Sequence, residues 1–350
     1  MPIGITGSYG KTSTKHILYK ILSDSYNVLM TPESYNTTMG VVKTIRNCLK
    51  PIHEIFLVEM GARNRGDIKE ICNLIKPRVG IITTIGEQHL ETFRNIERII
   101  LTKYELIEAL PENGTAFLNM DNKYIAQFPK PPKLKQCICY GMNFEGELDY
   151  RLSDLKVNSK GSSFKISKKD GTKVHFQTKL LGKYNAYNII ASVAVASELG
   201  MNLERISGIV RRVKPIPHRM ELKSGLNNVT VIDDSFNSNP LGCQMALETV
   251  ASMEESPKVL ITPGMVELGE KEYEFNKNFG LMAAEVFDYI ILVGAKRTQA
   301  IKDGLNQLNY PISKYSVVNN LNEAVAQLRQ IMKPGGVVLF ENDLPDTYDE

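Results

Sequence analysis

The chain has 350 residues, of which 43% are hydrophobic and 23% charged, ordinary usage for a globular protein of two or three domains at about 100–200 residues each. Its 42 Lys and Arg nearly balance 39 Asp and Glu, and the net charge of +3 is too small to argue for a nucleic-acid partner. No apolar run approaches the ~20 residues that span a bilayer, and no signal peptide is evident.

The apolar start Ile3–Ile5 runs into Gly7-Ser8-Tyr9-Gly10-Lys11-Thr12-Ser13, followed by a helical pattern over Lys11–Leu22. Glycines let backbone N–H groups turn inward around a phosphate, and a helix N-terminus adds partial positive charge. Lys11 would reach the β/γ-phosphates and Thr12 would hold Mg²⁺. The general P-loop has a further glycine where this chain has Ile5, so the match is to a shorter G-x-x-G-K-T form that also arises by chance. Almost nothing precedes this segment, so a truncated N-terminus is expected.

Strands are expected at Asn27–Met30, Ile55–Glu59, Val79–Thr83 and Thr115–Asn119, and helices at Thr37–Leu49, Asp67–Ile75 and Ile96–Leu110. This alternation predicts a parallel α/β sheet. Glu59 closes a strand, where such sheets place their pockets, and a carboxylate there suits a hard metal ion. An ordinary solvated glutamate is the plain alternative. His89 lies just past the next strand end; lone histidines are more often structural than ligands, but the convergence of three strand ends favours a site. Lys103, on a helix face, reads alone as a solvated charge.

Residues 133–180 hold short alternating segments with Lys169-Asp170-Gly171 as a hairpin turn, read as a small antiparallel insert. A helix is expected at Ala186–Leu199, with Gly200 as its C-cap. Val213-Lys214-Pro215-Ile216-Pro217 breaks regular structure and reads as a linker. Beyond it, strands at Val229–Asp233, Lys258–Ile261, Tyr289–Val293 and Gly336–Phe340 alternate with helices at Leu241–Ser252, Lys271–Val286, Gln299–Leu308 and Leu321–Lys333. Asp233-Asp234-Ser235-Phe236-Asn237-Ser238-Asn239-Pro240 is dense in polar groups at a strand-to-helix junction, although Asn and Asp also favour plain turns. Gly264–Glu270 is by itself a glycine-bounded loop.

Cys48, Cys72, Cys137, Cys139 and Cys243 are odd in number and fit no disulfide framework. Cys137 and Cys139 lack the second Cys/His pair of a zinc site. A reducing, cytoplasmic setting is the default expectation.

Together these segments resemble the Mur ligase family, on the branch that adds D-alanyl-D-alanine to a UDP-muramoyl-tripeptide. The match keeps the family's order over essentially the whole chain. Gly7, Ser8, Tyr9, Gly10, Lys11, Thr12 and Ser13 resemble its ATP loop. Asn36 and Thr37 resemble its substrate segment, and Glu59 and His89 its Mg²⁺ ligands. Lys103 resembles the lysine that carries a carbamate, and Asn119–Asn122 the N-x-D-[DN] turn. Asn185 and Asn188 match a G-x-x-N-x-x-N pattern that faces adenine. His218-Arg219 resembles the interdomain arginine. Asp233–Pro240 is almost the branch's D-D-S-Y-N-A-N-P, which carries Asp234 as a nucleotide-side residue and Asn237 and Asn239 as substrate contacts. Gly264–Glu270 resembles its G-D-M-x-E-L-G-E loop.

The resemblance implies a P-loop-type parallel-sheet ATPase domain with a small antiparallel insert over 1–214, and a smaller Rossmann-like α/β domain over 215–350. It implies a monomer acting on a nucleotide-sugar peptide and an amino acid or dipeptide, with ATP, two Mg²⁺ and a carbamylated Lys103, which would join the metal ligands Thr12, Glu59 and His89. The chain departs from the family in three places. The UDP-sugar domain that precedes the ATP loop is not matched, Met265 replaces an acidic residue, and Phe340–Tyr348 replaces a glycine- and lysine-bearing turn. These departures bear on the acceptor and the amine. Competing expectations are another ligase of the superfamily, either a folylpolyglutamate synthetase, which the Asp233–Pro240 string disfavours, or an amide ligase acting on a different cell-wall precursor; a non-catalytic nucleotide-binding module; and a motile P-loop NTPase, the last disfavoured by the lack of a Walker B-like pair.

Overall fold

The computed structural model describes residues 1–33, 35–87, 90–129, 132–236 and 239–343. Two compact units emerge. One comprises Met1–Lys156, Ser163–Thr178 and Asn185–Val213, the other Val157–Ser162, Lys179–Tyr184 and Lys214–Glu350.

In chain order the first part contains β1 (Pro2–Thr6), α1 (Lys11–Leu22), β2 (Val28–Met30), α2 (Thr38–Cys48), β3 (Ile55–Glu59), α3 (Asp67–Ile75) and β4 (Val79–Ile82). It continues with α4 (Leu90–Phe93), α5 (Ile96–Glu108), β5 (Thr115–Asn119), α6 (Lys123–Gln127) and β6 (Gln136–Gly141). It closes with β7 (Tyr150–Asn158), β8 (Gly161–Lys168), β9 (Lys173–Thr178), α7 (Gly182–Glu198) and α8 (Leu203–Val210). A nine-stranded sheet has the order β2-β3-β1-β4-β5-β6-β7-β8-β9, and its members from β2 to β7 pair in parallel.

β1, β3 and β4 read as unbroken apolar runs because both faces are covered; Ile3, Ile5, Leu57, Val58, Ile81 and Ile82 are fully buried. α5 lies close on the sheet because Gly4 leaves room for it. A Cβ at Gly4 would come within 2.6 Å of Leu106 Cδ1. The segments expected to form an insert continue this same sheet, with Lys169–Gly171 in the turn between β8 and β9. α7 begins at Gly182 rather than Ala186, and α8 went unforeseen although Asn202 caps it with its side chain.

The second part contains β10 (Glu221–Ser224), β11 (Thr230–Phe236), α9 (Pro240–Ala251), β12 (Lys258–Thr262), α10 (Glu272–Val286) and β13 (Tyr289–Val293). α11 (Gln299–Gln307), β14 (Tyr315–Val318), α12 (Leu321–Ile331) and β15 (Val337–Asp343) follow. Its six strands run β10-β11-β15-β12-β13-β14, all parallel except the antiparallel edge β10. Alternation along each strand divides the core. Ile232, Leu260, Ile290 and Leu339 pack with Leu247, Phe279 and Ile301 of the helices, whereas Val259, Ile261, Ile291 and Val338 pack with Ala324 on the other face. The edge strands β10 and β14 are short and partly exposed, which is why their sequence pattern is weak.

Candidate active site

The loop from β1 to α1 exists because two positions carry no Cβ. Gly7 (φ 152°) and Gly10 (φ 84°) adopt conformations that L side chains avoid. A Cβ on Gly7 would lie 2.0 Å from Thr83 Oγ1, and one on Gly10 2.6 Å from Asn188 Oδ1. Ser8 stitches the loop to the chain after β4: its Oγ donates to Gly86 O (2.8 Å) and accepts from Gly86 N (3.0 Å), and its N donates to Thr84 O (2.7 Å). Thr83 Oγ1 donates to Tyr9 O at 2.5 Å. Lys11 Nζ folds over the loop and donates to Gly7 O (2.8 Å) and Ser8 O (3.2 Å). Gly10 caps α1 without a side chain, and no acidic residue occupies the first turn, so the positive end of the helix is not neutralised locally. Ser13 and Tyr9 are buried beneath.

Glu59, buried at the end of β3, gathers four groups. Its Oε1 accepts from Thr12 Oγ1 (3.1 Å) and Asn36 Nδ2 (3.2 Å), its Oε2 pairs with Lys15 Nζ (3.0 Å), and its N donates to Thr31 Oγ1 (3.1 Å). Burial pushes the carboxyl up, but Lys15, Lys11 and the Lys15 and Asn36 hydrogen bonds outweigh it and hold the group below its ordinary range. Thr37 caps α2 by accepting from Gly40 N at 3.3 Å.

The turn after β5 holds the segment after β4 in place. Asn119 Nδ2 donates to Thr83 O (3.2 Å) and Asn122 Nδ2 to Ile85 O (2.8 Å). Asp121 accepts from Tyr187 Oη (2.7 Å) of α7. On that same helix Asn185 and Asn188 are buried. Asn188 Oδ1 accepts from Thr14 Oγ1 (3.1 Å), while its Nδ2 is buried with no partner among the described residues. His89 lies outside the described residues.

Lys103 is buried in α5. Burial, reinforced by the charge of Lys11, lowers its amine to about 7 against weaker opposition from Asp67 and Glu105. Two residues on, Glu105 accepts from Gly66 N (2.7 Å) and Lys69 N (2.9 Å) and so caps α3.

In the second unit Asp234 Oδ1 accepts from Met220 N (2.9 Å). Enclosure raises its carboxyl to about 6; Asp233 adds to the rise, and the Met220 N–H and Arg219 oppose it. The Arg219 guanidinium sits 4.2 Å from the Phe236 ring centroid. Asn239 caps α9, accepting from Gly242 N at 3.0 Å; Asn237 lies outside the described residues. His218, Glu221 and Asp233 bring ligand-type atoms within 4.8 Å of one another, but Lys223 Nζ already lies 2.6 Å from Asp233 and 3.0 Å from Glu221, in the place a cation would take. A cavity of about 970 Å³, lined in part by Asp233, Ile261, Lys296, Arg297, Asn320 and Asn342, opens at the C-terminal ends of this sheet's parallel strands. Glu341, buried at the end of β15, accepts from Cys243 Sγ at 3.2 Å.

The structure thus brings Gly7–Ser13, Asn36, Glu59 and Asn188 together, with Lys103 within reach of the Lys11 charge. Arg219, Asp234 and Asn239 belong to the second unit. Lys15 and Glu105 escaped the sequence reading. Lys15 stands four residues after Lys11, a spacing that shares a helix face, yet a buried partner cannot be read from one strand's sequence. The site fits a nucleotide: the Cβ-free loop leaves backbone clear for phosphate, Asn188 offers an orphaned donor, and Thr12 and Glu59 supply the hard oxygens that Mg²⁺ prefers.

Comparison with known proteins follows the same division. The Mur ligase middle domain matches residues 5–196, and the Mur ligase, glutamate ligase domain matches residues 218–341. The UDP-N-acetylmuramoyl-tripeptide–D-alanyl-D-alanine ligase of Bacillus subtilis (strain 168) is 28% identical over 342 residues, covering 97% of this chain and 72% of its own. That of Escherichia coli (strain K12) is 27% identical, covering 94% and 72%. The crystal structure of MurF ligase from Thermotoga maritima in complex with ADP superposes with a TM-score of 0.87 at 27% identity, covering 98% of this chain and 76% of that one. A pseudomurein peptide ligase type C from Methanothermus fervidus shares the fold, with a TM-score of 0.77 at 17% identity over 98% and 76% of the two chains.

Proposed function

The chain belongs to the Mur ligase family, and from that premise we propose that it is an ATP-dependent ligase joining a carboxylate to an amine through an acyl phosphate. The observation that carries this reading is the glycine cradle of Gly7 and Gly10 beside a Thr12–Glu59 contact of 3.1 Å. In this reading 1–214 is the ATP-binding domain and 215–350 the C-terminal domain.

A free carboxylate is a poor electrophile. Its oxygen attacks the γ-phosphorus of ATP, ADP leaves, and the acyl phosphate carries a good leaving group. The amine then attacks the acyl carbon, loses a proton, and phosphate departs. Catalysis of phosphoryl transfer is mostly positioning and charge. Lys11 turns from the loop carbonyls to the β/γ-phosphates. Asn185 and Asn188 face the base, and Arg219 and Asp234 act on the nucleotide side. Thr12, Glu59 and His89 would hold Mg²⁺, which when bound neutralises phosphate charge. A neutral Lys103 amine adds to CO₂, releasing a proton and leaving a carbamate able to serve a second ion. Asn36, Thr37, Asn237 and Asn239 contact the acceptor and the amine.

The names of the relatives point to a UDP-muramoyl-tripeptide as acceptor and D-alanyl-D-alanine as amine, in peptidoglycan precursor synthesis. A second reading keeps the chemistry and changes the amine. Its support is the buried Glu341 bonded to Cys243, with Asn342 donating to Gly264 O (2.6 Å), in the stretch where this chain departs from the family's glycine- and lysine-bearing turn. The test is ADP release with UDP-muramoyl-tripeptide plus D-alanyl-D-alanine, against the same acceptor with other amines and against folates. The first pair supports the first reading, and another amine the second. Lys11→Ala is expected to lower the rate by about 10³ or more; ligation that survives it overturns the ATP assignment.

A further inference from the structure

Lys15 has no place in the chemistry above, yet its side chain is fully buried in contact with the metal-side carboxylate. Its Nζ pairs with Glu59 Oε2 at 3.0 Å and also donates to Glu33 O. Glu33 is a non-glycine residue with φ 42°, a backbone state that persists only where the surroundings impose it. Here a buried ammonium captures the carbonyl that this conformation turns inward. Glu33 opens the short segment to Asn36 and Thr37, which is anchored at further points. Just before it, Thr31 meets β3: its N donates to Leu57 O (3.0 Å) and its Oγ1 accepts from Glu59 N (3.1 Å). Within it, Asn36 O accepts from Gly61 N (2.7 Å), just past β3.

The two oxygens of Glu59 have different neighbours. Thr12 and Asn36 donate to Oε1, while Lys15 lies on Oε2. A cation ligated by Thr12 and Oε1 competes with the Asn36 amide and leaves the Lys15 pair in place.

We propose that Lys15 is a positioning residue, resting on the nucleotide reading above, that clamps Glu59 by its Oε2 and the acceptor segment by Glu33 O. One buried ammonium thereby links the metal side of the site to the segment carrying Asn36 and Thr37. Removing it frees the segment and leaves Glu59 a buried anion with the more distant Lys11 charge and Mg²⁺ as its remaining countercharges.

The test uses the full chain with Lys15→Met, Lys15→Arg and Asn36→Ala. Amide hydrogen exchange without ligand reads the clamp. In Lys15→Met the amides of Thr31, Tyr35 and Gly61 are expected to exchange at least about tenfold faster, while β1 and β4 keep their protection. Binding of a fluorescent ADP with Mg²⁺ or with EDTA reads the coupling, and the Mg²⁺-to-EDTA affinity ratio is expected to rise about tenfold. Lys15→Arg keeps the charge and restores both. Unchanged exchange and an unchanged ratio in Lys15→Met overturn the proposal, as does a uniform rise in exchange throughout the first unit. If Lys15→Met does not fold, Asn36→Ala, which keeps the carbonyl that Gly61 N uses, decides: continued protection of Thr31, Tyr35 and Gly61 supports a clamp independent of the Asn36 side chain, and release of all three overturns it. Absence of nucleotide binding in every protein removes the functional reading and leaves the exchange result to judge the clamp.

Discussion

Glu59 ends β3 in the first sheet and Asp234 lies near the end of β11 in the second, two carboxylates at comparable places in two parallel sheets. Both pay a burial penalty, and they respond in opposite directions. Glu59 is held below its ordinary range because Lys15 touches it at 3.0 Å and Lys11 stands near. Asp234 rises to about 6 because its closest help is one backbone N–H, from Met220, while Asp233 repels it. A strand end in a parallel sheet therefore supplies a position and no particular charge state. The charge state depends on whether a neighbouring helix delivers a cation.

The sharpest way to break this contrast is through Lys103, the buried lysine whose amine is lowered to about 7. Lys103→Ala is expected to reduce ligation by 10² or more, with partial rescue by a small carboxylic acid standing in for the carbamate. Full activity in Lys103→Ala sinks the carbamate. Because the amine falls from 10.5 to about 7 on folding, the unfolded chain binds more protons between those values, and this group's contribution to stability rises with pH across that window. Lys103→Met is expected to flatten that rise in urea titrations taken from pH 7 to 10.

Next in size is Glu59→Gln. It leaves Lys15 buried without its anion, and about 3–5 kcal/mol of stability is expected to go in denaturant unfolding. The sign follows the lowered carboxyl: the ion pair stabilises above the ordinary carboxyl range and is lost as pH falls through the depressed value. A variant as stable as the parent at pH 7 shows that the pair contributes nothing net.

Asp234→Asn gives the smallest effect and the opposite sign. A raised carboxyl binds its proton more tightly in the folded chain, so stability falls as pH rises from 3.8 to about 6. The asparagine variant is expected to be more stable than the parent by up to about 3 kcal/mol at pH 7 and equal to it below pH 4. Equal pH profiles in melting experiments dissolve the contrast with Glu59.

Much of this architecture was legible in the chain. The boundaries of α1, β3, α3, β5 and β13 follow from apolar periodicity and match the sequence expectation. The Gly7–Ser13 loop follows from glycines whose φ values no other residue adopts at ease. What periodicity could not supply was lateral order. Short edges such as β10 and β14 are strands because a neighbour pairs with them, and the segments after β5 join the main sheet through β6 rather than standing apart.

By itself the sequence determined the local chemistry: a Cβ-free turn before Lys11 and Thr12, an acid closing β3, and a polar string after β11. These depend on residue type and near-neighbour spacing. Only the tertiary structure decided which charges meet. Lys15 and Glu59 are far apart in the chain and 3.0 Å apart in space, and Glu105 caps α3 across 39 residues. Such contacts arise from helices laid on a twisted sheet, where distance along the chain carries no information about distance across the core.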